Sequence, residues 1–235
     1  MMSRKKRKKR GYYSEYPEDP YRWWDEEYQH DYRGLMGIYD SYRRPTPAQQ
    51  QPYEPRRIKH VVFDADDTIW DIEPFGLASM CKPPVKEIQK DNFDVKCRKF
   101  IVTKDEEGKV VGGEEVLANG VLRLRPGIVE TIDKLRSKGI GTSIASNNEP
   151  NSVENLITAI GLRDKFDVII SDWESKGTMV RKISREVDAR PKEMIFVDDS
   201  PLNVYDIDKL GAISLCIDRD IISPEEILQF IKETE

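Results

Sequence analysis

Val61-Val62-Phe63-Asp64-Ala65-Asp66-Asp67-Thr68-Ile69-Trp70 is the part of this chain that best predicts its fold and its chemistry. The three leading apolar residues run directly into a group of carboxylates, which is typical of a short strand buried on both faces. Asp64 would end that strand, at the edge where ligands bind in open α/β sheets. If the chain stays extended, alternation directs the side chains of Asp64 and Asp66 the same way.

Two carboxylates that face one point repel each other unless a cation balances their charge. Mg²⁺ is commonly bound by one or two carboxylates together with a substrate phosphate, so we expect Mg²⁺ as the cofactor. The alternative is a solvated acidic loop that follows a strand and binds nothing.

Strands and helices alternate regularly in the second half of the chain. Arg125-Pro126-Gly127 opens a helix that places Ile128, Ile132 and Leu135 on one face. The hydrophobic pattern then predicts strands at 140–145, 166–170, 194–197 and 213–217, and helices at 152–160, 176–187, 202–210 and 224–232. This alternation is typical of parallel sheets. We therefore expect one Rossmann-like α/β domain over residues 58–235, with a mainly parallel sheet and helices on both faces.

A small β-rich insert is expected at about residues 81–124. Residues 71–81 have no regular pattern, and Pro83-Pro84 excludes a helix there. Three features predict turns between short strands: the charged run with a glycine at 106–109, the glycine pair at 112–113 and the Asn-Gly pair at 119–120.

Polar groups stand at the predicted strand ends. Ser146-Asn147-Asn148 follows one strand, Asp198-Asp199 follows another, and Lys176 begins a helix. Because parallel strands end at the same edge of a sheet, these groups should lie beside Asp64 and Asp66. Carboxylates, a hydroxyl, loop amides and one lysine form a set suited to phosphoryl transfer.

Charge is unevenly distributed along the 235 residues, whose net charge is −5. Residues 1–57 carry 13 Lys or Arg against nine Asp or Glu, a net charge of +4, so the remainder carries −9. The acidic remainder does not suggest nucleic-acid binding, whereas the basic leader allows it. Seven consecutive cations, from Arg4 to Arg10, are followed by a Tyr-, Pro- and Gln-rich stretch with few aliphatic residues.

The leader, residues 1–57, is expected to be mostly disordered, because it cannot bury enough apolar area to offset the entropy of ordering. Cations interleaved with aromatic residues can contact a nucleic acid or another polyanion. The alternatives are a solubilising tail and an import sequence.

The three cysteines, Cys81, Cys97 and Cys216, are scattered and form no C-x-x-C pair. We therefore expect neither a disulfide framework nor a zinc site, which favours a reducing compartment. No apolar run approaches 18 residues, and no apolar segment follows the basic run. The sequence thus predicts a cytoplasmic protein with no membrane segment and no signal peptide.

At these residues the chain resembles the haloacid dehalogenase (HAD) superfamily, and within it the small magnesium-dependent phosphatases. Its motifs occur in the family's order over about residues 59–222: Asp64-Ala65-Asp66-Asp67-Thr68, then Ser146, Lys176 and Asp198-Asp199. The resemblance implies a Mg²⁺-dependent phosphatase that acts on a phosphorylated small molecule or phosphoprotein. The leader has no counterpart in the family.

The resemblance also implies a role for each motif residue. Asp64 would be the nucleophile and Asp66 the general acid and base. Ser146, the backbone near Asn147, and Lys176 would hold the phosphoryl group. The metal would be bound by the side chains of Asp64 and Asp199 and by the backbone carbonyl of Asp66. Asp198 would be a further ligand or would act through a water. A carboxylate at Asp66 favours a phosphatase, because dehalogenases, whose halide leaves without a proton, lack one there.

Two departures from the family pattern bear on the substrate. Close relatives often carry Tyr where Asp67 stands and Arg where Asn147 stands, and the insert is longer than in the smallest members. The substrate of those relatives therefore cannot be assigned to this chain.

Trp70 and Trp173 flank the expected site, where they either line a leaving-group pocket or serve only in packing. The alternative hypothesis is a nucleic-acid-associated protein whose functional part is the basic leader. The domain would then act on a polynucleotide end or serve as a scaffold.

Overall fold

A five-stranded parallel sheet organises the computed structural model, which describes residues 57–234. Its strands stand in the order β7–β6–β1–β8–β9, and every pairing between neighbours is parallel. The strands are β1 (His60–Phe63), β6 (Gly141–Ser146), β7 (Val168–Ser171), β8 (Met194–Asp198) and β9 (Ile213–Cys216). The predicted α/β fold with a mainly parallel sheet is therefore confirmed.

Helices cover both faces of this sheet, as the sequence predicts. The five helices of the described residues are α1 (Ile128–Ser137), α2 (Ser152–Ala159), α3 (Lys176–Glu186), α4 (Pro201–Asp208) and α5 (Glu226–Thr234). Apolar residues of α1, α2 and α5 join one hydrophobic cluster, and those of α3 and α4 join another. The alternating side chains of β1 divide between the two: Val61 and Phe63 enter the first cluster, and Val62 enters the second.

A second, four-stranded sheet has the order β2–β5–β4–β3. Its strands are β2 (Trp70–Glu73), β3 (Cys81–Gln89), β4 (Asn92–Lys104) and β5 (Val110–Leu124). Three of them occupy the stretch in which the sequence predicts a β-rich insert. The prediction that residues 71–81 are irregular is wrong at its start, because β2 pairs antiparallel with β5 from Trp70 to Glu73.

Two of the predicted turns are also wrong, because Gly112-Gly113 and Asn119-Gly120 lie inside β5. Glycine serves there as a site of close approach. A Cβ at Gly113 would meet the Phe100 ring at 2.4 Å, and one at Gly120 would meet Cys97 Sγ at 3.0 Å.

The prediction of no disulfide is wrong as well. Cys81 of β3 and Cys97 of β4 face each other in the antiparallel register and are bonded. The sequence separation of 16 gives no C-x-x-C pattern, and only strand pairing brings the two sulfurs together. Because a disulfide is present, the cysteines no longer favour a reducing compartment.

Residues 103–112, the turn end of the β4–β5 hairpin, form a unit separate from the other described residues. Within this unit the Asp105 carboxylate accepts hydrogen bonds from the Glu107 and Lys109 amides, which confirms the turn predicted at 106–109. No helix among residues 57–234 is long and apolar enough to cross a membrane. The predicted leader lies outside the described residues, apart from Arg57.

Candidate active site

The predicted site residues converge at the carboxyl edge of the parallel sheet. Asp64 follows β1, Ser146 ends β6, Asp198 ends β8, and Lys176 begins α3 just after β7. Because all these strands run in the same direction, their ends meet at one edge. The site lies entirely within residues 57–102 and 113–234.

Lys176 joins two carboxylates of the site. Its Nζ lies 2.6 Å from Asp64 Oδ1 and 3.3 Å from Asp198 Oδ2, and it donates to the Ala145 carbonyl oxygen at 2.7 Å. Burial by itself lowers the pKa of this ammonium, but the charges of Asp64 and Asp198 outweigh burial, and the pKa is raised. Lys176 is therefore a cation beside Asp64.

Asp66 has different partners from Asp64. Its Oδ1 accepts hydrogen bonds from Trp70 Nε1 at 2.8 Å and from the Ala78 amide at 3.0 Å, and its Oδ2 accepts one from Asn148 Nδ2 at 2.7 Å. Burial raises the pKa of Asp66 to about 7, and the nearby charge of Asp64 adds to this rise. A carboxyl group with that pKa can give and take a proton near neutral pH.

The chain between Asp64 and Trp70 does not stay extended. The amides of Thr68, Ile69 and Trp70 all point at the Ala65 carbonyl oxygen, and Asp67 has a φ of +54°. Arg125 holds this turn from outside by donating to the carbonyl oxygens of Asp67 and Thr68. The turn leaves the Asp67 side chain exposed and brings Asp66 back against Trp70.

Asp64, Asp198 and Asp199 form a cluster in which one carboxylate oxygen from each lies within 4.8 Å of the others. Burial raises the pKa of Asp199 to about 6, with the Asp64 charge as the next cause. Burial and the Asp64 charge also raise the pKa of Asp198. Three carboxylates held so close favour a cation, and hard oxygen ligands suit Mg²⁺.

Asp198 is held by several donors. Its Oδ1 accepts from the Ser200 amide at 2.8 Å, and Asn203 Nδ2 lies 3.0 and 3.1 Å from its two oxygens. Lys176 Nζ lies 3.3 Å from Asp198 Oδ2. Asp199 is only partly buried, so it is the more accessible of the two aspartates.

Ser146 ends β6, and Asn147 begins the loop that follows this strand. Ser146 Oγ accepts a hydrogen bond from Asn148 Nδ2 at 2.9 Å. The Asn147 side chain turns away to the β7–α3 loop, where its Nδ2 lies 2.7 Å from the Glu174 carbonyl oxygen and 3.4 Å from that of Asp172. The Asn147 side chain therefore supports the loop that carries Trp173, and its amide donor group faces that loop.

Asn148 and Ala78 were not singled out from the sequence, although both bind Asp66. Asn148 is one of three polar residues after β6 and has no distinguishing spacing, and Ala78 acts only through its backbone amide. Trp70 is 1% exposed, which agrees with a packing role. Its indole nitrogen also donates the hydrogen bond to Asp66. Trp173 is 61% exposed.

The chain belongs to the haloacid dehalogenase-like hydrolase family, whose model matches residues 58–204, more than half of the sequence. The fold and the family are those that the motifs indicate, and the family is one of hydrolases. No curated protein sequence matches the chain.

The chain is also similar to several solved structures, all at low sequence identity. A HAD-superfamily hydrolase from Ehrlichia chaffeensis has 16% identity and a TM-score of 0.51, with 77% of this chain and 99% of that chain covered. The phosphatase-domain part of BF1531 from Bacteroides fragilis, complexed with Mg, has 18% identity and a TM-score of 0.46 over 77% of this chain. A predicted phosphoglycolate phosphatase from Haemophilus somnus has 18% identity and a TM-score of 0.42 over 46% of this chain. The chain spans 40% of the Bacteroides structure and 57% of the Haemophilus structure.

Proposed function

We propose that this protein is a Mg²⁺-dependent phosphomonoester hydrolase that works through an aspartyl-phosphate on Asp64. The observation that carries the proposal is the contrast between two buried carboxylates two residues apart. Asp64 is paired with the Lys176 ammonium, whereas Asp66 is surrounded by neutral donors. Such environments suit one group as a nucleophile and the other as an acid and base.

In the first step an Asp64 oxygen attacks phosphorus, and the bond between phosphorus and the leaving oxygen breaks. Asp66 gives its proton to that oxygen, so the alcohol or phenol leaves neutral. Ser146 and the backbone at Asn147 hold the phosphoryl oxygens, and Lys176 balances their charge. The product of this step is an acyl phosphate on Asp64.

In the second step the Asp66 carboxylate takes a proton from water, and that water attacks the phosphorus. The bond between phosphorus and Asp64 breaks, which releases inorganic phosphate and restores both carboxyl groups. The same residue therefore acts as acid in one step and as base in the next.

Mg²⁺ would be held by Asp64, Asp199 and the backbone carbonyl of Asp66, with Asp198 as a ligand or through a water. Bound there, it would neutralise charge on the transferring phosphoryl group. The fit rests on an all-oxygen donor set and on three carboxylates that crowd one another. The substrate class is a phosphorylated small molecule or phosphoprotein.

Hydrolysis of an aryl phosphate by the purified chain tests this function. We expect activity with Mg²⁺, its loss on chelation, and a loss of at least about 10³-fold in Asp64→Asn, because no nucleophile remains. Asp94→Asn, a change at an exposed position of β4, is the matched control and should keep full activity. A folded Asp64→Asn protein with unchanged turnover would exclude the aspartyl-phosphate mechanism.

A further inference from the structure

Asn148 connects groups that the proposed reaction uses, although that reaction assigns it no role. It follows β6 by two residues, and its side chain is fully buried. Its Nδ2 donates to Asp66 Oδ2 at 2.7 Å and to Ser146 Oγ at 2.9 Å. Its Oδ1 accepts from the Ser79 amide at 2.9 Å.

The orientation of this amide is fixed by its partners. A backbone N–H can only donate, so the Asn148 atom that faces Ser79 must be the oxygen, and the NH₂ group must face Asp66 and Ser146. Both amide protons then have an acceptor. Rotation of the side chain would cost all three hydrogen bonds inside the protein.

The contacts also distinguish the two oxygens of Asp66. Oδ1 already accepts two hydrogen bonds, from Trp70 and from Ala78, whereas Oδ2 accepts one, from Asn148. A carboxylate oxygen has two lone-pair directions. Oδ2 is therefore the oxygen with a direction left for a proton, and Asn148 fixes where that direction points.

Ser146 is constrained in a similar way. Because its Oγ accepts the hydrogen bond from Asn148, its own hydroxyl proton is left to point elsewhere. A hydroxyl oriented in this manner is a donor toward a phosphoryl oxygen. One buried amide thus aligns the proton carrier and a phosphate ligand at the same time.

We propose that Asn148 is a positioning residue that holds Asp66 Oδ2 in line with the leaving oxygen and keeps the Ser146 hydroxyl as a donor. This inference rests on the proposed function and deepens it. Asn148 touches neither the phosphorus nor the leaving group, and acts through Asp66 and Ser146. Its contribution is largest for substrates whose leaving oxygen needs a proton.

The test compares kcat/KM for a series of aryl phosphates in the wild-type protein and in Asn148→Ala, both with Mg²⁺. This parameter reports the steps up to release of the phenol, which include proton donation by Asp66. For a leaving group of pKa about 10 we expect a loss of about 10- to 100-fold, falling to about threefold or less when that pKa is about 4. Asp66→Asn should show the same trend with a larger loss.

Two further variants separate positioning from general damage. Asn148→Ser keeps a hydroxyl donor in a smaller side chain, and it replaces Asn148→Ala in the comparison if the alanine variant does not fold. Asn155→Ala, at an exposed position of α2, is the matched control and should keep the wild-type rates for every substrate.

A loss that is equal across the substrate series would overturn the alignment of Asp66 by Asn148, because only the contact with Ser146 acts independently of the leaving group, and it would leave the proposed hydrolysis intact. Unchanged rates in the folded variant would overturn it too. Absence of Mg²⁺-dependent hydrolysis in the wild-type protein would instead overturn the proposed function, and the role of Asn148 with it.

Discussion

Asp64 and Asp66 differ through what surrounds them, since both are 8% exposed and chemically identical. The Lys176 ammonium lies 2.6 Å from Asp64 Oδ1 and balances the charge of that carboxylate. Asp66 receives only neutral donors, and burial dominates its titration. At the scale of single residues, the position of one cation distinguishes the surroundings of the two aspartates.

His60 allows a prediction on stability. It is 3% exposed, its Nε2 lies 2.8 Å from Ser143 Oγ, and burial lowers its pKa from 6.5 to about 4. The folded protein therefore keeps His60 neutral, while the unfolded chain takes up a proton below pH 6.5. As the pH falls from 6.5 to 4, stability should decrease through this group by about 3 kcal/mol at most.

Denaturant unfolding at several pH values in this range measures the effect. His60→Gln, which cannot take up the proton, should lose stability less steeply than the wild-type protein as the pH falls. Identical pH dependence in the two proteins would show that His60 does not titrate differently on folding.

At the scale of elements, the segment before β3 connects the second sheet to the site. A short 3₁₀ turn, Ala78–Met80, supplies the amides that bind Asp66 and Asn148. From β4, Arg98 Nη2 donates to the Ser79 carbonyl oxygen at 2.8 Å and to Glu149 Oε1 at 2.9 Å. The second sheet thereby helps to hold the Asp66 carboxylate in place.

The disulfide between Cys81 and Cys97 should stabilise this region. It joins residues 16 apart in sequence, and a loop of that length corresponds to about 3 kcal/mol from restriction of the unfolded chain. We expect the double variant Cys81→Ala/Cys97→Ala to unfold at a lower denaturant concentration by about that free energy. Addition of a dithiol reductant should have no further effect on this variant.

The disulfide is also measurable directly. Alkylation of the denatured but unreduced chain should modify one cysteine, Cys216, and alkylation after reduction should modify all three. Three modified cysteines without reduction would contradict the disulfide. The variant Cys216→Ala controls for the buried thiol, which donates to the Asp199 carbonyl oxygen at 3.3 Å.

At the scale of the whole molecule, the family match covers residues 58–204 and leaves the basic leader without an assigned role. Nucleic-acid or polyanion contact by residues 1–57 stays a proposal, supported by the seven consecutive cations from Arg4 to Arg10. The cytoplasmic location stays a prediction.

We expect the full chain to bind single-stranded RNA or DNA with an affinity that falls steeply as salt rises. Replacement of the cations at 4–10 by glutamine should remove most of this binding and reduce its salt dependence. Aryl phosphate hydrolysis should stay unchanged in that variant, because the site lies in another part of the chain. Binding that persists after the replacement would argue against the leader as the contact.

The sequence by itself determined the parallel α/β sheet and the residues at its carboxyl edge. Both follow from local pattern: apolar runs set the strands, and a polar residue directly after a strand stands at that edge. Asp64, Ser146 and Asp198 could be placed in this way, and Lys176 by its position at the start of the helix that follows a strand, without knowledge of any long-range contact.

Only the tertiary structure decided the contacts that distinguish these residues from one another. Two of the three hydrogen bonds of Asp66 come from Ala78 and Asn148, which lie 12 and 82 positions away, and the disulfide depends on the register of β3 and β4. Gly113 and Gly120 look like turn residues in the sequence but lie within β5, where a neighbouring side chain leaves no room for a Cβ. Such features depend on which distant segments meet, and local periodicity carries no information about that.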